Sequence, residues 1–147
     1  MKLYFIAALL IVSVGNKCYA QSEQKLQNEI LKEERLHPLK HLGVYNVTVE
    51  QNKVITQHPD FFHHTEYRVD GWNVSGYVRS NASFAAYKDV VILVVFYSPT
   101  YTVLGTTTYT LYSFFRPRSN TPFKIKVYPP DGATIATPSV QGATAVN

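Results

Sequence analysis

The chain has 147 residues, enough for one domain and too few for two comfortable ones, with 14 basic and 10 acidic residues. That mild and unclustered positive balance argues against a nucleic-acid surface. A single cysteine, Cys18, excludes an internal disulfide framework, so stability must come from a hydrophobic core.

The start of the chain has the layout of a secretory signal peptide, residues 1–20. Lys2 supplies the charge, and residues 3–15 form an apolar run too short to span a bilayer. Cys18-Tyr19-Ala20 then places small residues where signal peptidase reads them, so cleavage after Ala20 leaves Gln21 as the new N-terminus. Asn16 and Lys17 precede Cys18 where a lipidation site would have small residues. Loss of the signal removes Lys2, Lys17 and the only thiol, leaving twelve basic against ten acidic residues and no cysteine nucleophile. The expectation is an exported protein, in the periplasm, on the outer-membrane surface or secreted, and not transmembrane after cleavage.

Residues 21–41 form a polar lead, either a short helix or a flexible linker, with Leu26, Ile30, Leu31 and Leu36 as its apolar residues and His37-Pro38 as its stop. From Leu42 the texture changes to Val, Thr, Tyr and Phe, interrupted at short intervals by Gly, Pro, Asn and Asp, the pattern of short antiparallel strands. Strands are expected at residues 43–54, 66–79, 90–97, 103–112, 123–128 and 133–143. In the second, Trp72, Val74, Gly76 and Val78 share one face, and Asn73, Ser75, Tyr77 and Arg79 the other; Asp70-Gly71 marks a bulge or a tight turn. In the fourth, Thr106, Thr108 and Thr110 oppose Tyr109 and Leu111. In the fifth, Phe123, Ile125 and Val127 oppose Lys124, Lys126 and Tyr128. About ten residues per strand and no long crossover helix predict an all-β, antiparallel, immunoglobulin-like sandwich over residues 42–147.

The third strand breaks the alternation rule. Val90 to Tyr97 reads V-V-I-L-V-V-F-Y, apolar on both faces. With Val90, Ile92, Val94 and Phe96 in the core, the alternate set Val91, Leu93, Val95 and Tyr97 needs a cover of its own. Three are available: side chains of neighbouring strands, the N-terminal lead, or another protein. Four apolar residues along one strand approach the patch size that marks interaction sites, so this set is the candidate partner-binding surface.

Other candidates are weaker. His58, Asp60, His63, His64 and Glu66 carry metal-ligating groups in a spacing that matches no ligand pattern, and His37 and His41 have i,i+4 spacing interrupted by Pro38. No G-x-S-x-G motif or paired-carboxylate site is present, so neither catalysis nor a cofactor is expected. Asn46, Asn73 and Asn81 head Asn-x-Ser/Thr sequons, which a chain this rich in Thr and Ser produces by chance. Exposed rings such as Tyr77, Tyr97 or Tyr101 could stack on sugar if they form one platform; Trp72 belongs to the core by alternation.

The segments Val74-Ser75-Gly76-Tyr77-Val78-Arg79-Ser80-Asn81, Tyr87-Lys88-Asp89-Val90-Val91, Phe96-Tyr97, Val103-Leu104-Gly105, Pro117 and Pro122-Phe123-Lys124-Ile125-Lys126-Val127-Tyr128-Pro129-Pro130-Asp131-Gly132 together resemble the FxLYD-type domain. This is a small immunoglobulin-like sandwich of bacterial envelope proteins, in the variant of Bacteroidetes. The resemblance spans residues 42–146. It implies an immunoglobulin-like fold, an exported envelope location and no enzymatic activity. The residues themselves add the expectation of a non-enzymatic module that binds another protein through the apolar outer set of the third strand, with carbohydrate binding by exposed rings as the alternative. The chain departs from the family at two turn positions, Tyr101 and Arg118, where glycine is usual. A bulky residue held there at positive φ costs about 1 kcal/mol. The two turns are expected at opposite ends of the sandwich.

Overall fold

The computed structural model describes residues 21–57 and 66–146. The signal segment and the His58–His64 loop lie outside the described residues. Residues 21–36 form a helix, α1, followed by a 3-10 turn at Pro38–Lys40. Six strands follow: β1 (Leu42–Gln57), β2 (Glu66–Ser80), β3 (Tyr87–Tyr97), β4 (Val103–Phe115), β5 (Asn120–Val127) and β6 (Ile135–Ala145). They make two antiparallel three-stranded sheets, ordered β1-β2-β5 and β4-β3-β6. The first corresponds to strands A, B and E of an immunoglobulin-type sandwich and the second to C′, C and F.

The expected strands are present in the expected order, and most boundaries differ by one to three residues. β5 begins earlier than expected because Asn120 already pairs with Arg79 and Pro122 with Tyr77. Proline is tolerated there because β5 lies at a sheet edge, where its missing N–H breaks no ladder. Pro138 in edge strand β6 follows the same rule.

Alternation builds the core. Trp72, Val74 and Val78 of β2 and Phe123, Ile125 and Val127 of β5 face Val90, Ile92, Val94 and Phe96 of β3. Each such side chain contributes about 1.5–3 kcal/mol by leaving water. Trp72 meets Phe96 edge to face, with ring centroids 6.3 Å apart. β5 pairs with β2 only from Trp72 to Arg79, so the β1–β2 ribbon continues past the sandwich without a third strand, with Val54, Ile55 and Val69 exposed. At the base of this arm Gly71 (φ 76°) sits in a bulge, as Asp70-Gly71 predicted. The bulge is held by Asn52, whose amide donates to the Asp70 carbonyl (3.1 Å), and by an ion pair between Asp70 and Lys126 (2.6 Å).

Both turn positions singled out by sequence keep a left-handed backbone: Tyr101 has φ 60° and Arg118 φ 52°. Tyr101 N–H donates to the Ser98 carbonyl (3.0 Å) and Ser98 N–H to the Thr102 carbonyl (2.9 Å), closing a three-residue hairpin loop whose last residue is left-handed. Pro117 followed by positive φ at Arg118 has the residue order of a type II turn. The two turns sit at opposite ends of β4, as expected.

The lead is a helix, and it docks on an end of the sandwich. Leu31 packs against the core, while Leu26 and Ile30 are exposed and do not form a lid over β3. Glu34, 3% exposed, anchors it. Its carboxylate accepts from three consecutive backbone N–H groups, Ser83 (2.5 Å), Phe84 (3.0 Å) and Ala85 (2.8 Å). The Tyr87 hydroxyl donates to the Glu34 carbonyl (2.9 Å). Burial alone would raise the Glu34 pKa, but the three N–H donors outweigh it and hold the carboxyl below its usual value. Burial, with the Glu34 and Glu33 carboxylates nearby, pushes the Tyr87 hydroxyl up to about 12.

Two predictions follow from these ends. Tyr101→Gly removes the left-handed strain at a side chain that is 74% exposed, and raises stability by up to about 1 kcal/mol in urea unfolding. Glu34→Ala strands three backbone donors and costs about 1–3 kcal/mol. Because the folded Glu34 pKa is depressed, its contribution is complete above the ordinary value of 4.5 and is lost as pH falls through the lower folded value. Urea midpoints measured at descending pH should therefore decline less steeply for Glu34→Gln than for the parent chain.

Candidate functional site

β3 is the central strand of the second sheet, so its outward side chains have a neighbour on each side. Val91, Leu93, Val95 and Tyr97 all point outward and are all partly buried, in strict alternation with the core set. Register supplies the reason. Val91 lies between Thr110 and Gly142, Leu93 between Thr108 and Ser139, Val95 between Thr106 and Thr137, and Tyr97 between Val103 and Ile135. Directly opposite residues bring their Cβ atoms within about 4.5–5.5 Å, so the threonine column of β4 shields one flank of the apolar stripe, while β6 offers the smaller Gly142, Ser139 and Thr137 on the other and the top stays open. The cover is thus supplied in part by neighbouring strands, chiefly by the β-branched side chains of β4.

The stripe ends in larger exposed groups. Phe114, opposite Lys88, is 69% exposed, and Tyr112 in the adjoining bulge is 84% exposed. The other end carries Val103 and, in the hairpin tip, Tyr101. Lys88 is the only charged residue paired into this outer face among the described residues. The outer face of the first sheet is of the opposite character. Arg79, Lys124 and Lys126 lie on it beside Asn73, Ser75 and Tyr77, and Asp70 engages Lys126 at its border. The Lys126 hydrogen bond holds the Asp70 carboxyl below its ordinary pKa and raises that of Lys126 in return.

That first face holds a shallow polar pocket of about 310 Å³ lined by Tyr45, Asn46, Tyr77, Arg79 and Asn120. Tyr45 and Tyr77 are cross-strand partners, and the Arg79 guanidinium lies 5.6 Å from the centre of the Tyr45 ring. The rings nominated for sugar stacking do not converge: Tyr77 is on the outer face of the first sheet, Tyr97 on that of the second, and Tyr101 at a hairpin tip. Trp72 is buried in the core, as alternation predicts.

His58, Asp60, His63 and His64 lie outside the described residues, and no group of three or more metal-ligating side chains converges among those described. His41 is engaged otherwise, its Nε2 standing 3.1 Å from the Glu33 carboxylate. Asn46 lies in a bulge at φ 50°, Asn73 donates to the Asn52 side chain (3.4 Å), and Asn81 is exposed.

Sequence reasoning missed the Glu34 anchor and the Tyr45–Arg79 contact. Glu34 stands in K-E-E-R beside an exposed Glu33, with nothing in the string to separate them. Tyr45 meets Tyr77 and Arg79 only through the β1–β2 register, which a bulge between Tyr45 and Thr48 alters.

The chain is thus a two-sheet antiparallel β-sandwich with a helix anchored on one end. The outer face of its second sheet has an apolar central stripe and, among the described residues, one paired charge, Lys88. Comparison with protein families, curated proteins and solved structures finds no match to it. No helix among the described residues is long and apolar enough to cross a membrane.

Adjacent residues of β3 should respond differently to truncation. Ile92→Ala empties a fully buried site and costs about 2–5 kcal/mol. Leu93→Ala, on the partly open face, costs less than half as much in the same denaturant titration.

Proposed function

We propose that the chain is a non-enzymatic interaction module of the bacterial cell envelope, exported to the periplasm or cell surface. It binds another protein through the outer face of the second sheet, with Val91, Leu93, Val95 and Tyr97 as the contact line. The observation that carries this reading is the contrast between the two outer faces. One is lined with lysine, arginine and tyrosine; the other is an apolar stripe flanked by the threonines of β4 on one side and small β6 residues on the other, lengthened by the exposed Tyr112 and Phe114. A partner gains by burying valine and leucine and need only supply hydrogen bonds to the threonine hydroxyls, whereas covering lysines requires paired charges. Aromatic groups at the ends of the stripe suit the anchor role that large rings play in protein interfaces.

The export signal in the sequence and the resemblance to FxLYD-type domains support the envelope location. The resemblance brings no catalytic residue, cofactor or metal with it. Carbohydrate binding, the alternative, draws little support from the rings: Tyr77 lies on the outer face of the first sheet, apart from Tyr97 and the hairpin-tip Tyr101 at one end of the second.

The test is the double substitution Leu93→Lys, Val95→Thr. Partners are captured from the native envelope with the parent chain, identified, and re-bound to both purified proteins. The expected result is an unchanged thermal midpoint with loss of binding. Unfolding of the isolated variant would instead assign the face to the core. Undiminished binding would remove it from the interface.

A further inference from the structure

We propose that the chain pairs with a second copy of itself along the free edge of β4, antiparallel, about a two-fold axis at Thr108. The inference does not depend on the partner-binding face, because it concerns the edge of the sheet.

The two sheets expose four strand edges, and three carry devices that obstruct pairing. β5 has Pro122, Lys124 and Lys126. β6 has Pro138 and a register shift at its centre. β1 shifts register three times and carries Glu50 and Lys53. β4 differs: its thirteen residues, V-L-G-T-T-T-Y-T-L-Y-S-F-F, contain no charge and no proline. Long uncharged edges of high β-propensity are templates for another strand.

The placement of the bulges says which strand fits. β4 pairs regularly with β3 from Gly105 to Leu111, and the ladder is interrupted on each side, at Leu104 and at Tyr112-Ser113. The midpoint of the regular stretch is Thr108. In an antiparallel pair centred there, Thr108 meets Thr108 of the second copy and Thr106 meets Thr110 on the outer face. On the inner face Thr107 meets Tyr109, a medium residue against a large one, and Leu111 comes opposite Gly105, whose inner side is already packed by the Pro130 ring. Just beyond the regular stretch, exposed Leu104 would come opposite exposed Tyr112. Two-fold pairing sets every side chain against its mirror position, so a charge near the axis would meet its like; none is present. The second sheets of the two copies then join as β6-β3-β4-β4-β3-β6, removing both unpaired edges. A seam of this length is small beside a standard interface, so association is expected to depend on concentration.

Sedimentation equilibrium of the purified full chain over a wide concentration range tests this. The expected result is a monomer–dimer equilibrium with no larger species. Thr108→Lys places two ammonium groups at the axis and should weaken dimerisation about tenfold or more. Thr108 is exposed, so circular dichroism and the melting midpoint of the dilute monomer should not change. Thr108→Asp should be weakened likewise, and an equimolar mixture of the two variants should restore dimers. A parent chain that stays monomeric throughout would overturn the proposal, as would growth beyond the dimer, which indicates pairing between unlike edges. Dimers that persist in Thr108→Lys would overturn it too, as would failure of the mixture to recover.

Discussion

The central place of β3 is the constraint on which the sandwich depends. This strand holds both of its sheet neighbours, and its inward set of Val90, Ile92, Val94 and Phe96 supplies much of the second sheet's share of the core. A slip of one residue along β3 would exchange the core set for the outer one. In most half-buried strands such a slip exposes apolar residues and is heavily penalised. Here both sets are apolar, so burial contrast on β3 alone discriminates weakly. Register must be specified by its neighbours: threonines on the outward side of β4, Tyr109 and Leu111 on the inward side, and bulges at both ends of their pairing.

The ends of the sandwich are fixed by different physics. At one end a carboxylate, Glu34, gathers three N–H groups that the 81–86 segment has turned away from any ladder. Buried backbone donors need partners, and a single ionised carboxylate satisfies several at once with charge-assisted bonds. The cost is desolvation of that charge, which the donors more than offset, since the group's pKa lies below rather than above its ordinary value. At the other end the hairpin at Tyr101 has no comparable anchor; its shape comes from Pro99, from Ser98 hydroxyl contacts and from accepted backbone strain.

Periodicity made the fold legible in the sequence. The faces of β2, β4 and β5 were readable because a period of two sorts Trp72, Val74 and Val78 from Asn73, Ser75 and Tyr77 without knowledge of their partners. The Asp70-Gly71 bulge was legible through residue choice, and Gly71 does take positive φ; Tyr101 and Arg118 stood out only against the family that the chain resembles. What stayed hidden depends on pairs distant along the chain. Glu34 and Ser83 are separated by 49 positions, and no local pattern distinguishes a glutamate that will find three amides from one that will meet water. The candidate face was partly legible: the anomaly in β3 named its residues, but the β4 threonines and the small β6 residues that flank them follow from register, which alternation leaves open by two residues at a time.

Sheet edges and sheet faces are linked in this molecule. Lysine, proline and bulges keep β1, β5 and β6 from pairing, and the same lysines make the first outer face polar. The second outer face could not be made polar in that way through β4, because that strand uses threonine rather than charge at its outward positions. Threonine is neutral, β-branched and capable of hydrogen bonding, so it suits an exposed strand and accepts burial where its hydroxyl finds a partner. A face edged with such residues can be stable in solution and still lose little when a protein covers it. The absence of charge on β4 therefore leaves both surfaces open to association, the edge through its backbone and the face through its side chains.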